Sequence, residues 1–426
     1  MNKKHTHTLT FRIIAGMALG LLLGILLNSI GVSGWVDTWL VNGILDVGGR
    51  IFISLLKLLV VPLVFVSLVV GTASLEDVGK VGRLGVKTLA LYLSTTAIAI
   101  ILAISMGVLV QPGKGLDLVA NQTYEPKAAP PLSDIFVNII PSNPIRALAD
   151  GEMLQIIFFA IFFGIALAMS KKKGERLLHL FQDLDHIIMQ MVMILIQFAP
   201  YGVFFLIAKV FAQQGFSAVL PLAKYFFLTL AVLILHWLVV YPTLLKLIAG
   251  LNPFTFFRKF KGVPVFAFST SSSNATIPVT LENVITKLGV SNSVASFTVP
   301  LGATINMDGT AIMQGVATVF IAQVYNVDIS LSGYAMVVIT ATLASIGTAG
   351  VPGVGLITLA MVLRQVNLPV EGIALIIGVD RLLDMARTVV NVTGDATVSC
   401  IVAKSEGQID LGIYNSPIKS SDTETV

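Results

Sequence analysis

Asp380-Arg381-Leu382-Leu383-Asp384-Met385-Ala386-Arg387-Thr388-Val389-Val390-Asn391-Val392-Thr393-Gly394-Asp395 sets ionic and amide side chains into a stretch otherwise apolar enough for a bilayer. At about 100° per residue, Asp380, Asp384, Arg387, Asn391 and Asp395 fall within roughly an 80° arc of one helix. Each charge at mid-membrane costs about 2.5–3.5 kcal/mol on insertion scales, so such a stripe faces a binding cavity or an ion route rather than lipid. The plainer alternative is an ion-pair seam in which Asp384 and Arg387, three residues apart, neutralise each other between packed helices. The stripe carries three aspartates against Arg387, and a further intramembrane acid, Asp308, sits in Asn306-Met307-Asp308-Gly309-Thr310. Surplus carboxylates in hydrocarbon need cations, which favours a transport site.

Working outward, the 426 residues are 55% hydrophobic and only 12% charged, about half the charged fraction of an ordinary soluble protein. With a mean hydropathy of +0.89, the chain reads as an all-α polytopic membrane protein. Apolar runs near 11–30, 51–71, 88–110, 154–170, 187–211 and 222–250 are each long enough to span. The first is long for the apolar core of a signal peptide and lacks a small-residue cleavage site, so it reads as a span. His5 and His7 belong to a solvated leader.

Basic residues cluster in alternate loops: Lys3, Lys4 and Arg12, then Lys80, Arg83 and Lys87, then Lys171–Lys173 and Arg176, then Lys246, Arg258, Lys259 and Lys261, then Lys404 and Lys419. By the positive-inside bias, both termini are expected in the cytoplasm. That bias also accounts for the net charge of +4, and no basic stripe with interleaved aromatics points to nucleic acid. Cys400, the single cysteine, excludes intrachain disulfides and cysteine-based metal motifs.

After Lys261 the apolar arms become too short to cross. Gly262–Phe268 and Ile277–Thr286 flank the polar centre Ser269–Thr276, and the arms 333–344 and 356–363 flank Ser345–Gly355. Irregular polar backbone is tolerated at depth only inside protein or a wet cavity, so two re-entrant helical hairpins are expected. The tips repeat one another: Ser271, Asn274, Ala275, Ile277 and Pro278 align with Ser345, Thr348, Ala349, Val351 and Pro352. Paired interrupted segments in corresponding halves point to a secondary transporter's substrate site. Pro278 and Pro352 read as helix starts whose free N–H groups favour an anion. Glycines at 347, 350, 353 and 355 allow close backbone approach and a gate-like change of shape; small-residue helix packing is the plainer reading of both tips. An intramembrane serine protease is excluded, because His179, His186 and His236 sit at loop-proximal or apolar positions and no G-x-S-x-G elbow is present. The chain is not expected to be an enzyme.

At Ser271-Ser272-Ser273, Asn306–Thr310, Ser345–Gly353 and Asp384–Asp395, from the first span to about Lys404, the chain resembles the glutamate/aspartate:cation symporter family, which includes archaeal aspartate transporters and animal excitatory amino acid transporters. The resemblance implies eight transmembrane helices plus two re-entrant hairpins, inverted repeats and a homotrimer working as an elevator. Scaffold would cover 1–80 and 130–215, the transport domain 81–129 and 216–405, and a cytoplasmic tail 406–426. It further implies sodium-coupled import of L-aspartate or L-glutamate, with Arg387 holding the side-chain carboxylate and Asp384 the α-ammonium. Guanidinium binds carboxylate bidentately and carboxylate accepts from ammonium, as that cargo requires.

By the same resemblance Thr310 and Gly355 assist at the side chain, Ser273 and Asn391 at the α-carboxylate, and Thr388, the Ser271 carbonyl and Val351 near the amine. Sodium ions (Na+), hard cations that prefer oxygen, would take three sets: Asp395 with carbonyls of Gly302, Asn306 and Asn391; carbonyls of Thr304, Ser345, Ile346 and Thr348 with Met307 nearby; and Asp308 and Asn306 with Tyr92, Thr95 and Thr96. Two departures matter. Ser271 stands where archaeal members have arginine, with Arg381 supplying a guanidinium from another helix as in the animal branch. Gln314 stands where proton- and potassium-coupled members have glutamate, which implies sodium coupling without potassium antiport. Asn274 occupies a tip position that is usually small. The rival reading is a proton-coupled C4-dicarboxylate carrier for succinate or malate, against which Asp384 would be an unmatched acid. A neutral amino acid carrier would leave Arg387 without its carboxylate, and a gated anion channel suits acid-rich oxygen sets poorly.

Overall fold

The computed structural model describes residues 3–31, 33–73, 82–116, 137, 140–215, 219–346, 350 and 352–416. Among these the backbone is helical, with one isolated antiparallel bridge, Val290 to Ile409, and no strand. Helix α1 (Lys3–Ile30) is followed by a π-helical stretch (Val36–Leu45), α2 (Asp46–Ala73) and α3 (Gly82–Val110). Next come α4 (Pro144–Asp150), α5 (Met153–Met169), α6 (Glu175–Gln197) and α7 (Ala199–Gln214). The apolar run 187–211 is not one straight span: it breaks at Phe198, with α6 and α7 bent by 50°. Pro200, in the first turn of α7, lacks the N–H that would have continued the α6 ladder. Phe11–Ile30, Arg83–Val110 and Leu220–Ala249 are, among the described residues, the three straight helical segments long and apolar enough to cross a membrane.

Helix α8 (Val219–Leu235) passes through a π-helical turn, His236–Val240, into α9 (Tyr241–Ala249), which Gly250 ends in a left-handed conformation. Helix α10 (Pro253–Phe260), capped by Asn252, leads into α11 (Gly262–Thr270) and α12 (Ser273–Thr286), two short helices packed on each other. The reversal between them is confined to Ser271, at φ 50°, and Ser272, whose side chain caps α12 through the Ala275 N–H. Pro278 therefore does not start the helix. A serine oxygen that satisfies an orphan N–H makes the better N-cap, and α12 begins five residues earlier.

Helices α13 (Asn292–Ile305) and α14 (Asp308–Val324) would form one rod but for Asn306 and Met307, which leave helical geometry at ψ 92° and 45°. Helices α15 (Leu331–Ser345) and α16 (Val354–Gln365) pack as the second short pair, and Pro352 precedes α16 by two residues while Gly353 at φ 85° serves as its N-cap. Helix α17 (Ile373–Ser405) runs unbroken for 33 residues and buries the whole polar stripe; α18 (Leu411–Asn415) ends the described chain.

The helices pack in two groups. In the first, α2 meets α5, α6 and α7, while α1 lies along α7. Gly16, Gly20 and Gly24 make that approach backbone to backbone: a Cβ on Gly20 would lie 2.7 Å from the Phe204 carbonyl oxygen and one on Gly24 2.7 Å from that of Ala208. In the second group, α17 is the axis, contacted by α3, α8, α9, α11, α12, α13 and α14. The groups meet chiefly where α16 packs on α2 and α17 on α7. At one end Arg83 and Lys87, on the first turns of α3, pair with Glu406 just after α17, both at 2.5 Å. At that same end the segment after α17 clasps two loops, through Asp410 N–H to the Gly289 carbonyl (2.7 Å) and Tyr414 hydroxyl to that of Asn252 (3.0 Å).

Candidate substrate and cation site

Helix α17 presents its stripe to α13, α14 and the two short-helix pairs, and three polar clusters form there. In the first, Arg387 is 1% exposed and donates to Asp380 Oδ1 and Asp384 Oδ1, both at 2.7 Å. Arg381 approaches Asp384 Oδ2 at 3.4 Å, and the Gly353 N–H at the second tip approaches the same oxygen at 3.3 Å. The Asp384–Arg387 pair of the seam reading is thus present. Arg387 Nε, however, is a buried donor with no partner, and the Ser271 hydroxyl is likewise buried and unpaired. Leaving such a group unmatched costs about 1–3 kcal/mol, which an incoming acceptor would recover. Gly355 brings backbone against this guanidinium: a Cβ there would lie 3.4 Å from Arg387 Nη1 and 3.3 Å from Thr310 Cγ2. Thr388 turns its hydroxyl onto the Asp384 carbonyl.

The two tips close over this cluster by sharing one acceptor. The Gly350 carbonyl receives the Ser272 hydroxyl at 2.7 Å and the Asn274 N–H at 3.2 Å, and Ser273, the first residue of α12, lies buried beside it. Thr348 and Val351 lie outside the described residues. Ser345 and Thr304 direct their hydroxyls to carbonyls of their own helices, at Thr342 and Pro300, and the Ile346 N–H bonds the Leu343 carbonyl.

The second cluster surrounds the break between α13 and α14. Asn306 Nδ2 donates to Asp395 Oδ1 and to the Asn391 carbonyl, each at 2.9 Å, while its own Oδ1 is buried with no donor. The Asn391 side chain accepts from the Gly309 N–H (2.7 Å) and approaches Met307 Sδ (3.4 Å), so its amide is engaged by the break itself. The Gly302 carbonyl accepts the Asn306 N–H at 2.7 Å. Gly302 also admits Asp395: a Cβ there would overlap Asp395 Oδ1 and lie 2.5 Å from the Tyr92 hydroxyl. A helix C-terminus facing an N-terminus offers carbonyls to a cation and N–H groups to an anion within a few ångströms.

The third cluster is centred on Asp308. Its Oδ1 accepts from Thr96 (2.7 Å) and Thr95 (3.3 Å) on α3, and Thr95 can alternatively give its proton to the Tyr92 carbonyl at 3.0 Å. Tyr92 itself turns to the Thr298 carbonyl at 2.9 Å rather than to Asp308. Asp308 Oδ2 faces His236 Nε2 (3.3 Å) and the Tyr241 hydroxyl (2.8 Å). His236 is fully buried, as its apolar position implied, and its partner is Asp308 rather than a serine; neither His236 nor Tyr241 carried a sequence signal beyond being polar in an apolar run. Gln314 holds the Thr358 hydroxyl at 2.8 Å. A cavity of about 360 Å³ behind α11, lined by Leu233, Trp237, Phe268 and Val390 among others, contains no ionisable side chain and is not part of these clusters.

The charge balance differs between clusters. Asp380 and Asp384 face Arg387 and Arg381, whereas the described residues pair no lysine or arginine with Asp308 or Asp395. The described groups around these two acids are the Thr95, Thr96 and Tyr241 hydroxyls and the His236 ring at Asp308, and the Asn306 amide at Asp395.

Comparison with known proteins identifies the family. The chain is 36% identical over 420 residues to the proton/glutamate-aspartate symporter of Escherichia coli K12, covering 95% of this chain and 94% of that one. It is 35% identical over 399 residues to a proton/sodium-glutamate symport protein of Bacillus caldotenax (92% and 93% covered), and 37% identical over 377 residues to a C4-dicarboxylate transport protein of Rhodospirillum rubrum (85% and 83%). Residues 9–405 match the profile of one family from the first helix to the end of α17, and the chain belongs to that family, the sodium:dicarboxylate symporters.

Proposed function

We propose that this chain is a multi-pass protein of the cell membrane, both termini cytoplasmic, that imports L-aspartate or L-glutamate coupled to sodium. The observation that carries the reading is Arg387, a buried guanidinium that keeps one donor free beneath the two touching tips. Its pairing with Asp384 suits an exchange: a zwitterion with a second carboxylate gives Arg387 a new acceptor and Asp384 an ammonium donor, so one internal ion pair becomes two with the cargo. Asp308 and Asp395, which no lysine or arginine among the described residues neutralises, would bind the co-transported sodium, with Thr95, Thr96 and the unpaired Asn306 Oδ1 as neutral ligands. One methylene is worth about 1–3 kcal/mol in a pocket, so both acidic amino acids are expected to be carried with unequal affinity. The two packing groups supply the scaffold and transport domain of an elevator, and the exposed apolar faces of the first are its trimer contacts.

The Rhodospirillum relative supports a second reading, a C4-dicarboxylate carrier, and the Escherichia relative supports proton coupling. Uptake of radiolabelled L-aspartate into proteoliposomes, with a sodium or a pH gradient imposed and with glutamate and succinate competing, separates them. Sodium-driven uptake blocked by glutamate is expected. Succinate competing best, or a pH gradient replacing sodium, selects the second reading. Arg387→Ala is expected to abolish uptake of the acidic cargo; unchanged aspartate affinity in that variant would contradict the assignment.

A further inference from the structure

We propose that His236 and Tyr241 are positioning residues for the cation step, clamping Asp308 Oδ2 so that Oδ1 stays turned to Thr95 and Thr96. The inference rests on the reading of Asp308 as a cation ligand given above. Three independent features converge on it. In an unbroken α-helix, residues five apart point about 140° from each other. Here the helix changes to π geometry over His236–Val240, and the Tyr241 N–H bonds the His236 carbonyl five residues back. That one wider turn sets the two rings edge to face, with centroids 4.7 Å apart and planes at 83°, and aims both at one carboxylate oxygen. Short π turns inside α-helices are rare and concentrate at functional sites.

The second feature is space. A Cβ on Gly394 would lie 2.6 Å from the Tyr241 hydroxyl and closer still to Asn306 Nδ2, so α17 is bare where the clamp reaches through to Asp308. The third is division of labour on the carboxylate. The two hydroxyls on Oδ1 belong to α3, and Thr95 has a second acceptor in the Tyr92 carbonyl, so it can turn its proton away and offer lone pairs to a cation. The groups on Oδ2 come from the α8–α9 segment and are not among the expected cation ligands. The single Tyr241 proton also has the Val390 carbonyl within reach (3.0 Å) as an alternative acceptor, so the hydroxyl sits between the carboxylate and α17. With both rings fully buried, Asp308 is held at Oδ2 by the clamp and at Oδ1 by the two hydroxyls of α3.

The test uses Tyr241→Phe, which removes one oxygen and keeps the ring, with His236→Leu, His236→Gln and Asp308→Asn. Purified protein is melted in rising NaCl against choline chloride, and proteoliposome uptake of L-aspartate is measured over the same sodium range. Removing a partner behind a metal ligand typically costs 10–100-fold in affinity, so Tyr241→Phe and His236→Leu should need about ten-fold more sodium for half-effect. Maximal uptake at saturating sodium should be nearly unchanged, and His236→Gln, which restores an N–H donor, should recover most of the loss. If Asp308→Asn abolishes the sodium response while Tyr241→Phe and His236→Leu stay within about two-fold of the unmodified chain, the clamp is overturned and the cation site stands. If the unmodified chain melts no differently in NaCl than in choline chloride, or if Asp308→Asn keeps the sodium response of the unmodified chain, the cation-site reading fails and takes the clamp with it.

Discussion

Gly394 is bare at the point where Asn306, Tyr241 and α17 converge, and at that spot a single methyl group decides whether two clusters can form together. Gly394→Ala should lower stability by about 1–3 kcal/mol, the usual cost of overpacking, and depress transport with it. Thermal unfolding beside uptake checks this, and an unchanged melting temperature would show that the contact is softer than the geometry implies. Gly302 and Gly309 do the same for Asp395 and for the Arg387 backbone, where a Cβ on Gly309 would lie 2.7 Å from Arg387 Cα. The stripe of α17 was legible because its spacing alone places five polar residues on one face. What those residues touch was not, since Arg387 turning to Asp380 as well as Asp384, or Met307 meeting Asn391, depends on contacts between helices that spacing within one helix does not encode.

Among the elements, the tie between α3 and the end of α17 is open to titration. Hydrogen bonds from Lys87 and then Arg83 hold the Glu406 carboxyl below its ordinary value. A lowered folded-state value means that the tie contributes above the unfolded value and fades as pH falls through the folded one. Glu406→Gln should therefore destabilise the protein modestly at neutral pH, and the difference from the unmodified chain should begin to shrink below the ordinary glutamate value of about 4.3 and vanish only below the lowered folded-state value. Melting curves at pH 7 and at successively more acid pH would measure it, and a difference that stays constant as pH falls would mean that packing rather than charge is responsible. The short-helix pairs were legible from arms too brief to cross a membrane. Pro278 misled, because a serine cap five residues upstream outcompetes a proline as the start of α12. The π turn at His236–Val240 was invisible, since one extra residue in an apolar run leaves no mark on composition.

At the scale of the whole molecule, the division into two packing groups follows neither half of the sequence, because α3 leaves its neighbours to join α14 and α15 in the group built on α17. Family motifs and apolar runs made the membrane class and the family legible; the route of the chain between groups was not, because it is set by which helix faces fit. Exposed apolar side chains along α1, α2 and α6, such as Leu22, Ile51 and Ile187, fit lipid or neighbouring copies. Amine-reactive crosslinking in native membranes should give a ladder ending at three chains, and one that stops at one or two would remove the trimer. Cys400 lies fully buried within α17 as the sole thiol of the chain. The unmodified protein is thus already a near-silent background for membrane-impermeant maleimide labelling, so each engineered surface thiol can report its own side of the bilayer without prior removal of native reactivity.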